Sequence, residues 1–171
     1  MRKIVSQLLM LSRGYEGRCH FQPEELCLWD MAESVCESLS ALAEAKSIHI
    51  HNEVPQTYMI YADQSLFTQL LVNLVENAIK YGNESGNIRI TSADDEADYN
   101  LCVEDDGIGI SEDDLSKIFE RFYRADKARD RTGSGLGLSI VKWIAELHEG
   151  KIVAESKLGK GTEMTVTWPK K

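Results

Sequence analysis

Two amide side chains four residues apart could hold a metal ion. Asn73 and Asn77 share one face of a predicted helix, because side chains at positions i and i+4 lie one turn apart. A neutral amide oxygen suits a hard cation, and magnesium in nucleotide sites usually has one or two protein ligands beside phosphate oxygens. We interpret Asn77 as a candidate magnesium ligand, with Asn73 beside it. Two asparagines on a solvated helix face would be the interpretation for an isolated pair.

Asp105, followed by Gly107 and Gly109, forms a second group at the end of a predicted strand. A carboxylate there can accept a hydrogen bond from the exocyclic amino group of adenine. Guanine lacks that donor, so this acceptor favours ATP. The two glycines allow the backbone to turn and to approach a base closely. Alone, the pattern is weak evidence, because aspartate and glycine also make ordinary turns.

The third group, Gly133, Gly135 and Gly137, precedes or opens a predicted helix. The free N–H groups and the positive end of a helix N-terminus suit phosphate oxygens. The glycine spacing does not match that of dinucleotide-binding folds, and the sequence has no Walker P-loop. The three groups, in this order, predict an ATP pocket.

Basic side chains come just before these glycines: Arg124, Lys127, Arg129 and Arg131. Cations there could neutralise phosphate oxygens as charge develops during phosphoryl transfer. Asp126 and Asp130 interrupt the run and weaken this argument. A solvated lid without direct phosphate contact is the alternative for each basic residue.

The asparagine pair needs a helix to position it, and Asp63 is the predicted N-cap of that helix. Apolar spacing predicts its buried stripe: Phe67, Leu71, Leu74, Val75 and Ala78. Its polar side gathers Gln69, Asn73, Glu76, Asn77 and Lys80. Glu76 is a weak candidate for a general base, because it points at a different helical angle from Asn73.

Other elements follow from sequence periodicity and capping signals. We predict helices over 30–46, with an Asp30 and Glu33 capping box and a stripe of Val35, Leu39, Leu42 and Ala43, and over 135–148, ending at Gly150. Ser111 and Asp114 predict a cap on a short helix. Strands are predicted at 48–54, 58–61, 88–92, 99–104, 151–157 and 162–168. This order predicts an α+β fold, a two-layer α/β sandwich whose mixed, mostly antiparallel sheet packs on helices.

The first helix needs a partner. Residues 1–13 place Ile4, Val5, Leu8, Leu9 and Leu11 on one helical stripe. So short a helix is marginal alone, and we expect it to be the end of a longer one. A helix packed on its own domain is the alternative. The segment 21–28, with Pro23, predicts a linker that runs into an edge strand. We therefore divide the chain into 1–20 and 21–171.

Composition restricts the classes of function. The 171 residues are 43% hydrophobic and 27% charged, as in ordinary globular domains. The net charge of -9 disfavours nucleic acid as a partner. No segment has the length and apolarity of a membrane span or a signal peptide, so we expect a cytoplasmic piece without membrane contact. The four cysteines are spaced like reduced thiols, and a metal site at His49, His51 and Glu53 is less favoured than a solvated strand face.

Together these residues resemble the catalytic and ATP-binding domain of sensor histidine kinases, of the GHKL superfamily with the Bergerat fold. Asn73 to Tyr81 is similar to the N box, Asp105 to Ile110 to the G1 box, and Phe119 to Arg124 to the F box. Gly133 to Leu138 is similar to the G2 box, and Gly161 with Thr162 to the last Gly-Thr element. The helix at 1–13 resembles the end of the dimerisation and histidine-phosphotransfer domain.

The resemblance implies magnesium at Asn77, with Asn73 and Asn77 catalytic, and an ATP lid over 122–132. It implies nucleotide contacts for Asn73, Asn77, Lys80, Tyr81, Asp105, Gly107, Gly109, Ile110, Phe122, Arg124, Gly133, Gly135, Leu136, Gly137, Leu138 and Thr162. ATP would phosphorylate a histidine on the phosphotransfer domain, and the full-length kinase, expected to be membrane-anchored, would pass the group to a response regulator.

The chain departs from the family pattern in its histidines. None of His20, His49, His51 and His148 lies in the sequence context of the family's phosphoacceptor. Asp106 and Glu149 stand where asparagine and glycine are common in the family. An amide at position 73 cannot act as the general base of the ATP-hydrolysing relatives, which favours transfer over hydrolysis.

Two alternatives remain open at this stage. One is a degenerate module that binds nucleotide, or only partners, and signals through its conformation. The other is a serine-directed kinase or ATPase of the same superfamily.

Overall fold

The computed structural model describes residues 2–17, 19–125 and 133–170. The helices are Arg2–Tyr15 (α1), Leu28–Ser38 (α2), Ser40–Glu44 (α3), Gln64–Tyr81 (α4), Glu112–Leu115 (α5) and Gly137–Leu147 (α6). The strands are Pro23–Cys27 (β1), His49–Asn52 (β2), Met59–Asp63 (β3), Asn87–Asp94 (β4), Asp98–Asp105 (β5), Lys151–Lys157 (β6) and Gly161–Pro169 (β7).

Five of the strands form one sheet in the order β2-β4-β5-β7-β6. Only the β2–β4 pair is parallel, and the other three pairs are antiparallel. Strands β1 and β3 form a separate antiparallel pair, so β1 lies at an edge as predicted. Helices α2, α4 and α6 pack together, and α4 and α6 contact the sheet. This arrangement confirms the predicted α+β sandwich with a mostly antiparallel sheet.

The α4 helix follows from local sequence and forms the centre of the core. The Asp63 carboxylate accepts a hydrogen bond from the Leu66 amide at 3.0 Å, which confirms the predicted N-cap. The whole predicted stripe of α4 is buried: Phe67, Leu71, Leu74, Val75 and Ala78. Among the polar residues on its other side, Asn77 and Lys80 are half-buried.

The end of α6 has the hydrogen bonds of a Schellman motif. The Gly150 amide donates to the Ala145 carbonyl at 2.8 Å, and the Glu149 amide donates to the Glu146 carbonyl at 3.0 Å. Glu149 therefore takes the left-handed position, with φ of 60°. Glycine usually occupies this position, since it has no Cβ to strain the backbone. The helix ends near the predicted glycine, but a glutamate makes the turn.

Two details of the predicted second helix are wrong. It begins at Leu28, and Cys27 at the N-cap makes no side-chain capping bond. The Glu33 carboxylate instead accepts a hydrogen bond from the Asn52 side chain at 3.0 Å, so the predicted capping box does not form. The helix is also interrupted at Leu39, with φ of −103° and ψ of 4°. After this break Leu42 is 52% exposed, while Leu39 and Ala43 are buried.

The predicted apolar stripe of α1 is mostly exposed. Leu11 is buried, but the relative exposure is between 39% and 54% for Ile4, Val5, Leu8 and Leu9. The helix approaches α6 through Gly14, where a Cβ atom would lie 2.1 Å from the Trp143 ring. The close approach places Leu11 and Gln7 against the rest of the protein and leaves the other apolar side chains outward.

Several smaller predictions can also be compared with the structure. Ser111 caps α5 by accepting a hydrogen bond from the Asp114 amide, as predicted. All four cysteines lie in the described part of the chain, and none forms a disulfide. His49, His51 and Glu53 are exposed, and no cluster of metal-ligating side chains occurs in the residues that the structure describes. None of the described helices has the length and apolar composition needed to cross a membrane.

Candidate functional site

A cavity of about 960 Å³ lies where α4, the turn after β5 and the start of α6 meet. Thirteen of the predicted site residues line it: Asn73, Asn77, Lys80, Tyr81, Asp105, Gly109, Ile110, Arg124, Gly133, Gly135, Gly137, Leu138 and Thr162. Segments distant in sequence thus meet at one site. A cavity of this size is large enough for a small-molecule ligand or cofactor.

The α4 helix contributes the amide pair to the cavity. Asn73 is 4% exposed, and its side-chain oxygen accepts a hydrogen bond from Gln69 at 3.2 Å. The Asn73 side-chain nitrogen has no hydrogen-bond partner in the described residues. A buried donor without a partner costs free energy, which a ligand oxygen in the cavity would recover. Asn77 lies one helical turn further along the same wall.

Asp105 lies at the end of β5 and is 8% exposed. Its carboxylate accepts a hydrogen bond from the Gly107 amide at 2.9 Å. Burial raises the Asp105 pKa to about 6, while the amides of Gly107 and Thr162 oppose the rise and the charges of Asp106 and Glu104 add to it. The cavity therefore contains a buried acceptor whose charge changes near neutral pH.

Gly107 acts through close packing and does not line the cavity. A Cβ atom at this position would lie 2.2 Å from the Tyr81 carbonyl oxygen. That oxygen accepts a hydrogen bond from the Ile108 amide at 3.1 Å. Glycine thus lets the turn after β5 approach the end of α4, so that Asp105 and the asparagine pair face one cavity.

The glycine-rich segment leads into α6 beside Lys80. A Cβ atom on Gly133 would lie 2.2 Å from the Lys80 ammonium nitrogen, so the backbone and the cation are close. Gly135 has φ of 71°, a conformation that favours glycine. Leu136 at the N-cap of α6 gives no side-chain capping bond. Within the described residues, Leu136 thus leaves the first N–H groups of α6 without a cap from its side chain, and these groups suit an anion.

Two further predicted residues lie off the cavity wall. The Leu136 side chain is fully buried in the core, so only the backbone of this residue could contact a ligand beside the glycine-rich segment. Phe122 is 58% exposed with φ of 62°, and its amide donates to the Gly135 carbonyl at 2.9 Å. Lys127, Arg129, Arg131 and most of the predicted lid lie outside the described residues.

Sequence analysis missed the contribution of α1 to this cavity. Lys3, Ile4 and Gln7 line it, and the Lys3 ammonium pairs with the Glu76 carboxylate on α4. The buried Gln7 accepts a hydrogen bond from the Ser134 hydroxyl at 3.1 Å. No local signal distinguishes them, because Gln7 lies one turn from Leu11 of the apolar stripe and Lys3 acts through Glu76, a partner distant in sequence.

A second missed group is centred on Asp114, near the start of the predicted lid. Its carboxylate accepts hydrogen bonds from the Tyr123 hydroxyl and, at 2.6 Å, from the Ser111 hydroxyl. These two bonds lower the Asp114 pKa. Asp114, Tyr123 and Ser111 all line the cavity. The Ser111 cap was predicted, but the tyrosine came from a segment with no recognisable pairing signal.

Comparisons with known proteins show the family and the fold of the chain. Residues 62–171 match the sequence profile of the family described as histidine kinase-, DNA gyrase B- and HSP90-like ATPases. The sensor histidine kinase WalK of Bacillus subtilis (strain 168) is 36% identical over 176 aligned residues. The alignment covers all of this chain and 29% of WalK, so the chain spans less than a third of that relative.

Two solved structures share the fold. The catalytic domain of histidine kinase ThkA, in a nucleotide-free form, gives a TM-score of 0.76 at 30% identity, with 87% of this chain and 98% of that chain covered. Full-length ShkA in complex with AMPPNP gives a TM-score of 0.86 at 27% identity, with 98% of this chain and 35% of that chain covered.

Proposed function

The chain belongs to the family of histidine kinase-, DNA gyrase B- and HSP90-like ATPases, and on this premise we propose that it is the ATP-binding catalytic part of a two-component sensor histidine kinase. The observation that carries the proposal is the convergence of Asn73, Asn77, Asp105 and the glycine segment on one cavity. Its activity would be transfer of the ATP γ-phosphoryl group to a histidine.

Each wall of the cavity would contact a different part of the nucleotide, according to the chemical groups on that wall. The Asp105 carboxylate would accept a hydrogen bond from the adenine amino group at the buried end of the cavity. Thr162, which is the β7 residue in register with Asp105, is 8% exposed and lines the same region. The N-terminus of α6 and the Lys80 ammonium would bind phosphate oxygens. Tyr81, Gly109, Ile110, Arg124 and Leu138 complete the proposed contacts.

The donor set of α4 fits a magnesium ion. Asn77 offers a neutral amide oxygen on the cavity wall, and the Asn73 side-chain nitrogen beside it, unpartnered among the described residues, would donate to a phosphate oxygen. The chemistry that bound magnesium supplies is neutralisation of charge on the β- and γ-phosphates. Asn77 would hold it, and Asn73 and Asn77 would orient the phosphates for attack.

Two features favour transfer to a protein over hydrolysis. The amide of Asn73 cannot take a proton from water, so it cannot be a general base. The Glu76 carboxylate is paired with the Lys3 ammonium at 2.7 Å, which disfavours it as a general base for water. The protein would thus position the reactants and balance charge while the bond from the γ-phosphorus to its bridging oxygen breaks and a bond to a histidine nitrogen forms.

The phosphoacceptor is proposed to lie on a separate phosphotransfer domain. His148 is buried. Its Nε2 atom accepts a hydrogen bond from the Asp63 amide at 3.0 Å, and its Nδ1 atom donates one to the Ile144 carbonyl at 2.8 Å. None of the histidines lines the cavity.

We propose that residues 1–20 belong to the end of that dimerising domain and its linker, and 21–171 to the catalytic domain. A response regulator would be the later partner, and the catalytic part would act in the cytoplasm of a membrane-anchored parent.

Calorimetric titration with ATP, ADP and GTP, with and without magnesium, tests the binding step. We expect adenine-selective, magnesium-dependent binding by the native chain, and weaker binding by an Asn77→Ala variant. Asn100→Ala, on the sheet away from the cavity, is the matched control and should bind normally.

Phosphoryl transfer is tested by adding a dimerising helical domain that carries a phosphoacceptor histidine and following label from γ-labelled ATP. Acid-labile label on that domain supports the proposal. Absence of nucleotide binding at millimolar concentration would contradict it and favour a degenerate signalling module.

A further inference from the structure

Lys46 lies outside the cavity but binds the end of the helix that carries the asparagine pair. Its ammonium donates hydrogen bonds to three carbonyl oxygens, those of Ile79 at 2.9 Å, Lys80 at 3.1 Å and Gly82 at 2.7 Å. The contacts are partly buried and join positions more than thirty residues apart in sequence. Lys46 is absent from the cavity lining.

The backbone around Lys46 is itself fixed. The Ile48 amide donates to the Ala43 carbonyl and the Ser47 amide to the Glu44 carbonyl, both at 2.9 Å, as in a Schellman motif after α3. Ser47 takes the left-handed position, with φ of 53°. The Lys46 carbonyl also accepts a hydrogen bond from the Ser85 amide at 2.9 Å. The ammonium therefore extends from a defined turn.

The last carbonyls of a helix have no partner within the helix and carry partial negative charge. Gly82 follows α4 in an extended conformation, with ψ of 152°, so the chain leaves the helix at once. The Lys46 ammonium binds carbonyls of the last turn of α4 and of Gly82, the first residue after the helix. It therefore satisfies these oxygens and fixes the direction in which the chain leaves α4. Lys46 thus determines where the final turn of α4, with Lys80 and Tyr81, is held.

A continuous series of contacts leads from that turn to Asp105. The Tyr81 carbonyl accepts the Ile108 amide at 3.1 Å, and the Gly107 backbone packs against the same oxygen. The Gly107 amide in turn donates to the Asp105 carboxylate at 2.9 Å. A shift of the α4 terminus would therefore move the turn that orients the buried acceptor.

We propose that Lys46 is a positioning residue that sets the spacing between the asparagine pair on α4 and the acceptor Asp105. The inference rests on the proposed function of the cavity as an ATP site, and it adds a residue outside that cavity to its specificity. Loss of the ammonium would weaken ATP binding and, because the acceptor is displaced, would reduce the preference for ATP over GTP.

The test compares Lys46→Met, which keeps a stem of similar length without donors, with Lys170→Met. Lys170 also donates to a backbone carbonyl, that of Asp95 at 2.6 Å, but lies away from the cavity. We expect Lys46→Met to raise the dissociation constant for ATP roughly tenfold, in the range that small misplacements of a site produce. Its ATP to GTP selectivity should fall, while Lys170→Met should match the native chain.

Amide hydrogen exchange at Ile108, measured without nucleotide, gives a second readout that does not depend on ATP binding. Exchange at Ile108 should accelerate in Lys46→Met and not in Lys170→Met, since the carbonyls on either side of Tyr81 are then no longer held. Lys46→Gln, which keeps an amide donor, should give an Ile108 exchange rate and an ATP to GTP selectivity between those of the native chain and Lys46→Met. It replaces Lys46→Met in the test if the methionine variant does not fold. Lys46→Arg, which keeps the positive charge and its donors, should restore part of the selectivity.

Unchanged Ile108 exchange and unchanged selectivity in the substituted chains would overturn the inference. A lower melting temperature with native exchange at Ile108 and native selectivity would also overturn it, because that pattern indicates a structural role alone. Failure of the native chain itself to bind ATP would contradict the proposed function, and the exchange at Ile108 would still decide whether Lys46 holds the turn.

Discussion

The ammonium of Lys3 lies 2.8 and 2.7 Å from the two carboxylate oxygens of Glu76, so the first turn of α1 is joined to the wall of the cavity on α4. Both residues line the cavity. The pair is partly exposed, with the Lys3 side chain at 62% and that of Glu76 at 28%. Its effect on stability is therefore small, while its effect on the charge of the cavity is direct.

Lys3→Met should weaken ATP binding about two- to fivefold, because the Glu76 carboxylate then repels the phosphates without its neutralising cation. The double variant Lys3→Met with Glu76→Gln should recover most of the affinity, since the repelling charge is gone. Titration calorimetry of the native chain, Lys3→Met, Glu76→Gln and the double variant, at low and high salt, measures the coupling. Equal loss in the single and double variants would contradict this explanation.

Asp105→Asn should stabilise the fold near neutral pH while it weakens ATP binding. The native Asp105 pKa is raised to about 6, so folding favours the neutral carboxyl. The stability that folding gains from the neutral carboxyl is fully present below the unfolded pKa of about 4. It is lost as the pH rises through about 6, so the free energy of unfolding is lower by about 1–3 kcal/mol at pH 8. Urea unfolding at pH 4 and pH 8 should show a gain for Asp105→Asn only at the higher pH.

Glu24→Gln, on the exposed side of β1, is the control and should show no comparable pH-dependent gain. ATP affinity of the native chain should decline as the pH falls below about 6, because the protonated carboxyl is a poorer acceptor. An equal gain for Asp105→Asn at both pH values would mean that burial of charge is not the cause.

Gly107→Ala should destabilise the protein and disrupt the cavity. The added Cβ atom would lie 2.2 Å from the Tyr81 carbonyl oxygen, and a backbone atom can move only if the whole turn shifts. A loss of about 2–3 kcal/mol in the free energy of unfolding is expected, as for other overpacked sites. Chemical denaturation and ATP titration measure the two effects.

Gly159→Ala makes a useful comparison for that variant. Gly159 has φ of 75° but no atom within 4 Å of an added Cβ, so the cost of alanine there is the strain of a left-handed backbone without a steric clash. Its cost should be about 1 kcal/mol, and because Gly159 also lines the cavity, only the free energy of unfolding is compared. If both alanine variants had the same effect, steric contact with Tyr81 would not be the reason for glycine at position 107.

Glu149→Gly should raise the free energy of unfolding by about 0.5–1 kcal/mol, because Glu149 has φ of 60° at the end of α6. ATP binding should not change, since Glu149 does not line the cavity. Glu146→Gly, inside the same helix, should instead destabilise by a similar amount. A loss of stability for Glu149→Gly would show that the glutamate side chain has a stabilising role.

Local signals in the sequence were sufficient for much of the fold. The Asp63 cap, the α4 stripe and the Ser111 cap all depend on residues close in sequence, and all three were predicted correctly. The capping box at Asp30 failed because Glu33 finds a partner on β2, Asn52, which lies nineteen residues away. Tertiary contact there overrides a local preference.

The candidate site divides in a similar way. Residues that present chemical groups, such as Asp105 and Asn77, are recognisable from type and spacing. Lys3, Gln7, Tyr123 and Lys46 are not, because each acts through a partner that only the folded chain brings near. Gly107 was predicted to approach a base, whereas its closest neighbour is the backbone of Tyr81. Whether the cavity residues have the proposed nucleotide contacts stays a prediction.

The register between β5 and β7 has a consequence for cooperativity of unfolding. Asp105 and Thr162 pair across these strands, and the cavity includes both. A chain in which β7 has detached therefore has no complete site, even if α4 and β5 remain intact. Ligand binding would then oppose loss of β7 as strongly as it opposes global unfolding, by RT ln(1 + [L]/Kd). Saturating nucleotide should therefore raise the free energy of partial opening at this sheet edge by the same amount as that of global unfolding.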